Sequence, residues 1–268
     1  MRRVEPHLIC LDLDGTTITH SGELRPAVAQ AVGEAVAAGH HVVVATGRSV
    51  VAALPIVEQL GLTEGWVICS NGAVTIRLDP TAPDGYTVAD EDVVTFDPAP
   101  VLSRLRDVLP DALVAVEELG VGFRLSAPYP EDELQGDQVV VPWEELMRHR
   151  TTRVTFRQPE STSEDFQQIV EAAGLHGVTY AVGFSAWLDI NPDGVTKGSA
   201  AEIVRRRLGI EPSRTVAVGD QRNDLEMLVW AARGVAMGNA PDEVQAAADE
   251  VTATVDEDGL ADVLRSLI

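Results

Sequence analysis

The chain has 268 residues, with 42 acidic against 20 basic side chains and a formal charge of −22. That balance argues against nonspecific nucleic-acid binding and against an anionic membrane surface, both of which call for positive potential. No apolar run approaches the roughly 18 residues needed to span a bilayer, and residues 1–7 lead into the first strand without a signal-peptide apolar region. Cys10 and Cys69 are the only cysteines, each inside an apolar strand-like run. Buried reduced thiols, and hence a cytoplasmic protein, are the expectation.

Residues 8–11 read as a buried strand that ends in two carboxylates, Asp12 and Asp14, followed at once by Gly15. Side chains two apart on an extended backbone point the same way. Both carboxylates are therefore expected to face one site beyond the strand's C-terminal end, where open α/β sheets bind ligands. Gly15 allows the sharp turn that follows. A plain turn or a calcium loop is the alternative; the latter lacks acidic ligands, since Thr17, Thr19 and Ser21 follow.

Residues 26–38 read as a helix with Pro26 near its start and Gly39 past its end. A β-branched strand over 41–45 leads into Thr46-Gly47-Arg48-Ser49, where a hydroxyl and backbone N–H groups can hold a phosphate or simply form a capped turn. Ser49 caps a second helix closing at Gly61, 66–70 is a third strand, and Asn71-Gly72 turns the chain into 73–77. This alternation predicts a parallel sheet with helices on both faces. The rhythm changes at the loop 79–85, after which segments are shorter, more charged and richer in proline. Strands are expected at 93–96, 113–117, 122–125, 153–156 and 178–182, and helices at 99–108 and 163–173. The first rhythm then resumes with helix 197–208, strand 214–218, helix 223–231, strand 234–237, helix 241–248, strand 251–255 and helix 259–267. The expected division is a core of residues 1–80 and 190–268 with a smaller α+β domain, 81–189, inserted into it.

Two features of the last third carry chemistry. Lys197 sits in the first turn of a helix, where the dipole disfavours a cation unless an anion lies in front of it. A second strand delivers Gly219 and Asp220 to its end, with Asn223 and Asp224 opening the next helix. Carboxylates gathered from two strand ends are the hard oxygen ligands that Mg²⁺ prefers.

Taken in order, Asp12-Leu13-Asp14-Gly15-Thr16, Thr46-Gly47-Arg48, Lys197 and Gly219-Asp220-Gln221-Arg222-Asn223-Asp224 resemble the haloacid dehalogenase superfamily of phosphatases. The resemblance is greatest to its Cof-type sugar-phosphatase branch, whose C2B cap falls between the second and third motifs. Met237-Gly238-Asn239-Ala240 is similar to the family's closing loop. The resemblance implies a Rossmann-like, doubly wound α/β core with an inserted α+β cap. It implies Asp12 as a nucleophile forming an aspartyl-phosphate and Asp14 as general acid and then base. It further implies Mg²⁺ held by the Asp12 carboxylate, the Asp14 backbone carbonyl and Asp220, with Asp224 a ligand or a support for one. Thr46, Gly47 and Lys197 would hold phosphoryl oxygens, and Asn223 would orient Lys197 or the phosphate.

Arg48 and Asn71 are expected at the leaving group, with Arg124 and Arg153 as candidates for it in the cap. The expected substrate is a small phosphorylated metabolite such as a sugar phosphate. A phosphomutase or phosphotransferase would share the same intermediate. A non-catalytic phosphometabolite-binding protein would predict a lost nucleophile, lysine or metal aspartate, and all are present. A dinucleotide-binding dehydrogenase is disfavoured because no G-x-G-x-x-G follows the first strand.

Overall fold

Leu8–Leu11 is buried at every position, as a parallel strand covered on both faces requires, and forms β1. The computed structural model describes residues 5–158, 161–182 and 186–268. After β1 come α1 (Pro26–Ala37), β2 (His41–Ala45), α2 (Val50–Gln59) and β3 (Gly65–Cys69). Ser49 caps α2, its hydroxyl accepting from the Ala52 N–H. The expected turn at Asn71-Gly72 takes three residues, Ser70–Gly72, with Ser70 and Asn71 both left-handed. It reverses the chain into β4 (Val74–Leu78) and β5 (Tyr86–Thr87), which run antiparallel because so short a link cannot make a crossover.

The inserted segment supplies α3 (Ala99–Val108), β6 (Leu113–Glu118), β7 (Gly122–Leu125), β8 (Asp137–Val140), α4 (Trp143–Leu146), β9 (Val154–Arg157), α5 (Ser163–Ala173), β10 (Val178–Val182) and β11 (Trp187–Pro192). The chain then completes its first layer with α6 (Lys197–Leu208), β12 (Thr215–Gly219), α7 (Leu225–Trp230), β13 (Arg233–Ala236), α8 (Asp242–Ala247), β14 (Glu250–Val251) and α9 (Gly259–Arg265).

Two sheets result. The first is eight-stranded, in the order β14-β13-β12-β1-β2-β3-β4-β5, and parallel from β14 to β3. Apolar layers cover both its faces: α1, α2 and α9 pack on one, and α6, α7 and α8 on the other. β1 lies between β12 and β2, with Leu11 opposite both Val218 and Val44. Three strand ends are thereby set side by side. The second sheet has six strands, β10-β11-β9-β6-β7-β8. One face is filled by Phe156, Phe166, Leu102 and their neighbours, while Phe123 and Leu134 belong to a smaller cluster on the other.

Some expected elements differ. Residues 93–96 form no strand; Val93 bridges to Val74 in the first sheet and Phe96 to Thr151 beside the second, so this segment is the crossing between them. β8 and β11 were not expected. β8 is exposed at all four positions and so lacks an alternating apolar face, and the apolar pattern of β11 is broken by Asp189 and Asn191. The sheets also run past the expected boundaries at 80 and 189, since β5 belongs to the first and β11 continues the second to Pro192. Cys10 and Cys69 are buried free thiols, and burial pushes Cys10 up to about 12. Among the described residues no helix is long and apolar enough to cross a membrane.

Candidate active site

Asp12 continues β1, Asp220 follows β12 and Asp224 ends the short turn after it. Adjacent strand ends therefore bring the three carboxylates together, each offering an oxygen within 4.8 Å of the others. All three are buried, Asp12 at 4 % exposure and the other two at none. Lys197, the first residue of α6, is 1 % exposed and donates to Asp12 Oδ1 at 2.6 Å and to Asp224 Oδ1 at 2.7 Å. The anions that reconcile its charge with the helix dipole include the protein's own carboxylates.

Burial works against the charge on Lys197, but Asp12 and Asp224 outweigh it and hold the ammonium protonated. Burial first, then the Asp224 carboxylate, pushes Asp12 well above the ordinary carboxylate range, with Lys197 opposing. The same two causes, in the same order, push Asp220 up to about 6. Three carboxylates against one ammonium leave excess negative charge in a dry place. The donor set, hard oxygens only, fits Mg²⁺.

The carboxylates are fixed from behind. Asp224 Oδ2 accepts the backbone N–H groups of Asp220 at 3.0 Å and Gln221 at 2.9 Å. Asp220 accepts from Thr16 Oγ1 at 3.1 Å, Gln221 Nε2 at 3.0 Å and Asn239 Nδ2 at 3.3 Å. Two glycines are required by this crowding. A Cβ on Gly15, whose φ is +79°, would lie 2.4 Å from Asp220 Oδ2, and one on Gly219 would lie 2.5 Å from Asp224 Cγ.

Asp14 is set apart from the buried trio. Its carboxylate accepts both Nε and Nη2 of Arg48, at 2.8 and 2.6 Å, in a bidentate pair at the site's edge. Any part it has in holding a metal falls to its backbone, as its carboxylate is not in the cluster. Thr46 is buried at the end of β2, and its hydroxyl oxygen accepts the Arg48 N–H at 3.0 Å. Asn223 donates to Asn71 Oδ1 at 2.9 Å; the ammonium of Lys197 is oriented instead by Asp12 and Asp224. Asn71 in turn donates to Asp189 at 3.3 Å and Asn191 at 3.2 Å.

A cavity of about 550 Å³ opens above Asp12 and Asp14, between the two sheets. Gly47, Arg48, His20 and Asn223 line its lower wall, and Phe123, Asp132, Arg153, Trp187 and Asp189 its upper wall. Arg124 does not reach it: it pairs with Glu118 and Glu145 and lines a separate cavity of about 290 Å³. Its strand position gave no way to tell one face of the second sheet from the other. Arg153 does line the main cavity, but its guanidinium is engaged by Glu117 and by the Gly47 carbonyl. Thr16 had a place in the first motif but no partner there, and Ser70, Glu117, Asp189 and Asn191 were not foreseen. Of these four, only the last two carried a signal, polar residues inside an otherwise apolar run.

A family model described as haloacid dehalogenase-like hydrolase matches residues 9–93 and 130–264. Among curated relatives, pyridoxal phosphate phosphatase YbhA of Escherichia coli is 29% identical, over 97% of this chain and 97% of its own. The 5-amino-6-(5-phospho-D-ribitylamino)uracil phosphatase YcsE of Bacillus subtilis is 26% identical over 98% and 96%. A solved haloacid dehalogenase-like hydrolase from B. subtilis superimposes with a TM-score of 0.81 at 25% identity, covering 98% of this chain and all of that one. The chain belongs to the haloacid dehalogenase-like hydrolases, as a phosphatase of that superfamily.

Proposed function

We propose that the protein hydrolyses a small phosphorylated metabolite, of which a sugar phosphate is the best fit, through an aspartyl-phosphate on Asp12 with Mg²⁺ as cofactor. The layer built on the eight-stranded sheet, through β5 and again from α6, acts as the catalytic core in this reading, and the segment from α3 to β11 as a cap over it. The observation that carries it is a buried Asp12, held by Lys197 beside Asp220 and Asp224, beneath a cavity of about 550 Å³. That volume suits a metabolite and is too confined for a folded phosphoprotein. Two of the relatives, YbhA and YcsE, carry names that give small phosphorylated metabolites as substrates, which favours the same class here.

In the first step an Asp12 oxygen forms a bond to phosphorus as the ester P–O bond breaks, and Asp14, turned from Arg48 toward the substrate and protonated, gives that proton to the leaving alcohol. In the second, water gives a proton to Asp14 and attacks phosphorus, releasing phosphate and restoring the Asp12 carboxylate. Lys197 remains protonated throughout and, with Thr46 and the backbone at Gly47, takes up phosphoryl charge. Asp12, Asp220 and Asp224, with the Asp14 carbonyl, would hold Mg²⁺, whose charge when bound offsets that of the phosphoryl group and the carboxylates around it.

The test is phosphate release from a panel of small phosphate esters, with Mg²⁺ or with EDTA, by wild type and Asp12→Asn. Mg²⁺-dependent release confined to wild type supports the reading. Consumption of ester without free phosphate would move the reaction to a phosphotransferase, and no consumption at all would leave a binding protein.

A further inference from the structure

We propose that Arg153 and Glu117, both in the inserted segment, are positioning residues for phosphoryl transfer. They set the direction of the Thr46 hydroxyl through the Gly47–Arg48 peptide.

The contacts form one path. Glu117 is 5 % exposed, and its carboxylate accepts the Ser70 hydroxyl at 2.8 Å and Arg153 Nε at 3.1 Å. Arg153, equally buried, donates from Nη1 to the Gly47 carbonyl, and its guanidinium lies 5.5 Å from the centre of the Phe123 ring. A trans peptide is planar, so a carbonyl aimed at Arg153 turns the N–H of the next residue the opposite way. That N–H, of Arg48, donates to Thr46 Oγ1 at 3.0 Å. With one lone pair of the hydroxyl occupied, its rotation is restricted and its proton is left for another acceptor. Charge-assisted donation to the Gly47 carbonyl also polarises the peptide and strengthens the bond its N–H makes.

The same two side chains bracket both loops that form this corner. Backbone bonds join the loops: Ser70 N–H donates to the Arg48 carbonyl at 2.8 Å and Asn71 N–H to that of Thr46 at 3.0 Å. Glu117 holds one loop by its serine hydroxyl and Arg153 the other by its glycine carbonyl. A buried charged pair is a weak device for stability, since desolvation offsets much of its attraction. Its placement against Gly47 gives it a use in geometry. The inserted domain thereby acts on the phosphoryl end of the cavity as well as on the leaving-group end.

This inference rests on the phosphoryl-holding part assigned to Thr46 above. The test is a double-mutant cycle between Arg153→Lys and Thr46→Val, read as kcat and KM on a phosphate ester that wild type turns over. Lysine keeps the charge but cannot serve Glu117 and Gly47 from two nitrogens at once. Arg153→Lys should lower kcat about 10- to 100-fold, the range for residues that orient an active group, with the activating Mg²⁺ concentration unchanged. Thr46→Val should lower it similarly, and the double variant should lose no more than the larger single loss. Glu117→Gln, which keeps the size and most contacts of the glutamate, should give a smaller loss of the same kind. Thermal melts confirm that each variant is folded. Losses that multiply, or an Arg153→Lys enzyme with the parent's kcat, would overturn the inference. Thr46→Val without effect on an active enzyme would instead remove the premise about Thr46.

Discussion

The lower and upper walls of the cavity are built by different rules. Beneath the lower wall, Asp12, Lys197, Asp220 and Asp224 come from three separate stretches of the chain, yet all are buried and tied in by hydrogen bonds. Above, Asp132 and Gln135 are exposed, and Phe123, Trp187 and Asp189 come from strands of the second sheet. A wall whose parts are locked supplies chemistry, because preorganised charge need not reorganise during the reaction. A wall with exposed, less constrained side chains can be altered without disturbing that chemistry, which is what the proposed role in selecting the leaving group requires. Substitutions below should therefore abolish turnover, and those above should change the ranking of substrates, Arg153 excepted because it reaches down to the Gly47 carbonyl.

The largest effect is expected from Asp12→Asn, which replaces the proposed nucleophilic carboxylate by a neutral amide and should lower kcat by about 10⁴-fold or more. Phosphate release under saturating substrate measures it. Lys197→Met should cost on the order of 10²–10³ in kcat. It also strands Asp12 and Asp224 in the interior, destabilising the metal-free protein by about 3–5 kcal/mol. Urea unfolding at pH 7.5 and pH 5 reads that loss, which should shrink at the lower pH as the crowded carboxylates take up protons.

Wild type should show a related dependence without substrate. Asp220 titrates near 6 in the folded protein against 3.8 for the free side chain. A raised carboxyl contributes stability below the unfolded value, and that contribution is lost as pH rises through about 6. Mg²⁺ competes with those protons, so its stabilisation should be larger at pH 7.5 than at pH 5. At a hundredfold excess over its Kd it is worth about 2.7 kcal/mol, or several degrees in Tm. Equal shifts at both pH values would place the ion elsewhere. The smallest effects belong to the upper wall. Asp132→Asn or Trp187→Phe should leave Mg²⁺ binding intact and change KM about 2- to 10-fold, the worth of one hydrogen bond, with the order of a substrate panel rearranged. A kcat loss across all substrates would erase the distinction between the walls.

The two walls also differ in how far the sequence disclosed them. The lower wall was legible because its motifs, Lys197 at the start of α6 excepted, sit where strands end, and strand ends follow from local apolar runs such as residues 8–11 and 215–218. Local patterns also gave α1, α3, α5 and α6 nearly to the residue. The upper wall was not legible, for reasons of register. Whether Arg124 or Arg153 faces the cavity depends on how β6, β7 and β9 pair, and those pairings are long-range. Glu117 closes the strand expected at 113–117, and only the closeness of Ser70 and Arg153 gives it a purpose. β8 had no apolar face to announce it, and the polar residues that broke the pattern of β11 belong to the site. The bidentate pairing of Asp14 with Arg48 was likewise invisible, since two side chains 34 residues apart meet only when β1 and β2 lie side by side.

The central claim is that phosphorus passes through Asp12, and it can be tested by trapping. Asp14→Asn, given an aryl phosphate whose leaving group needs no acid, should form the aspartyl-phosphate but lose the base that hydrolyses it. Borohydride reduction of that mixture, followed by mass spectrometry, should find homoserine at residue 12 and at no other acidic position. Aryl phosphate turnover with residue 12 unmodified would contradict the covalent route and leave Asp12 as a metal ligand alone.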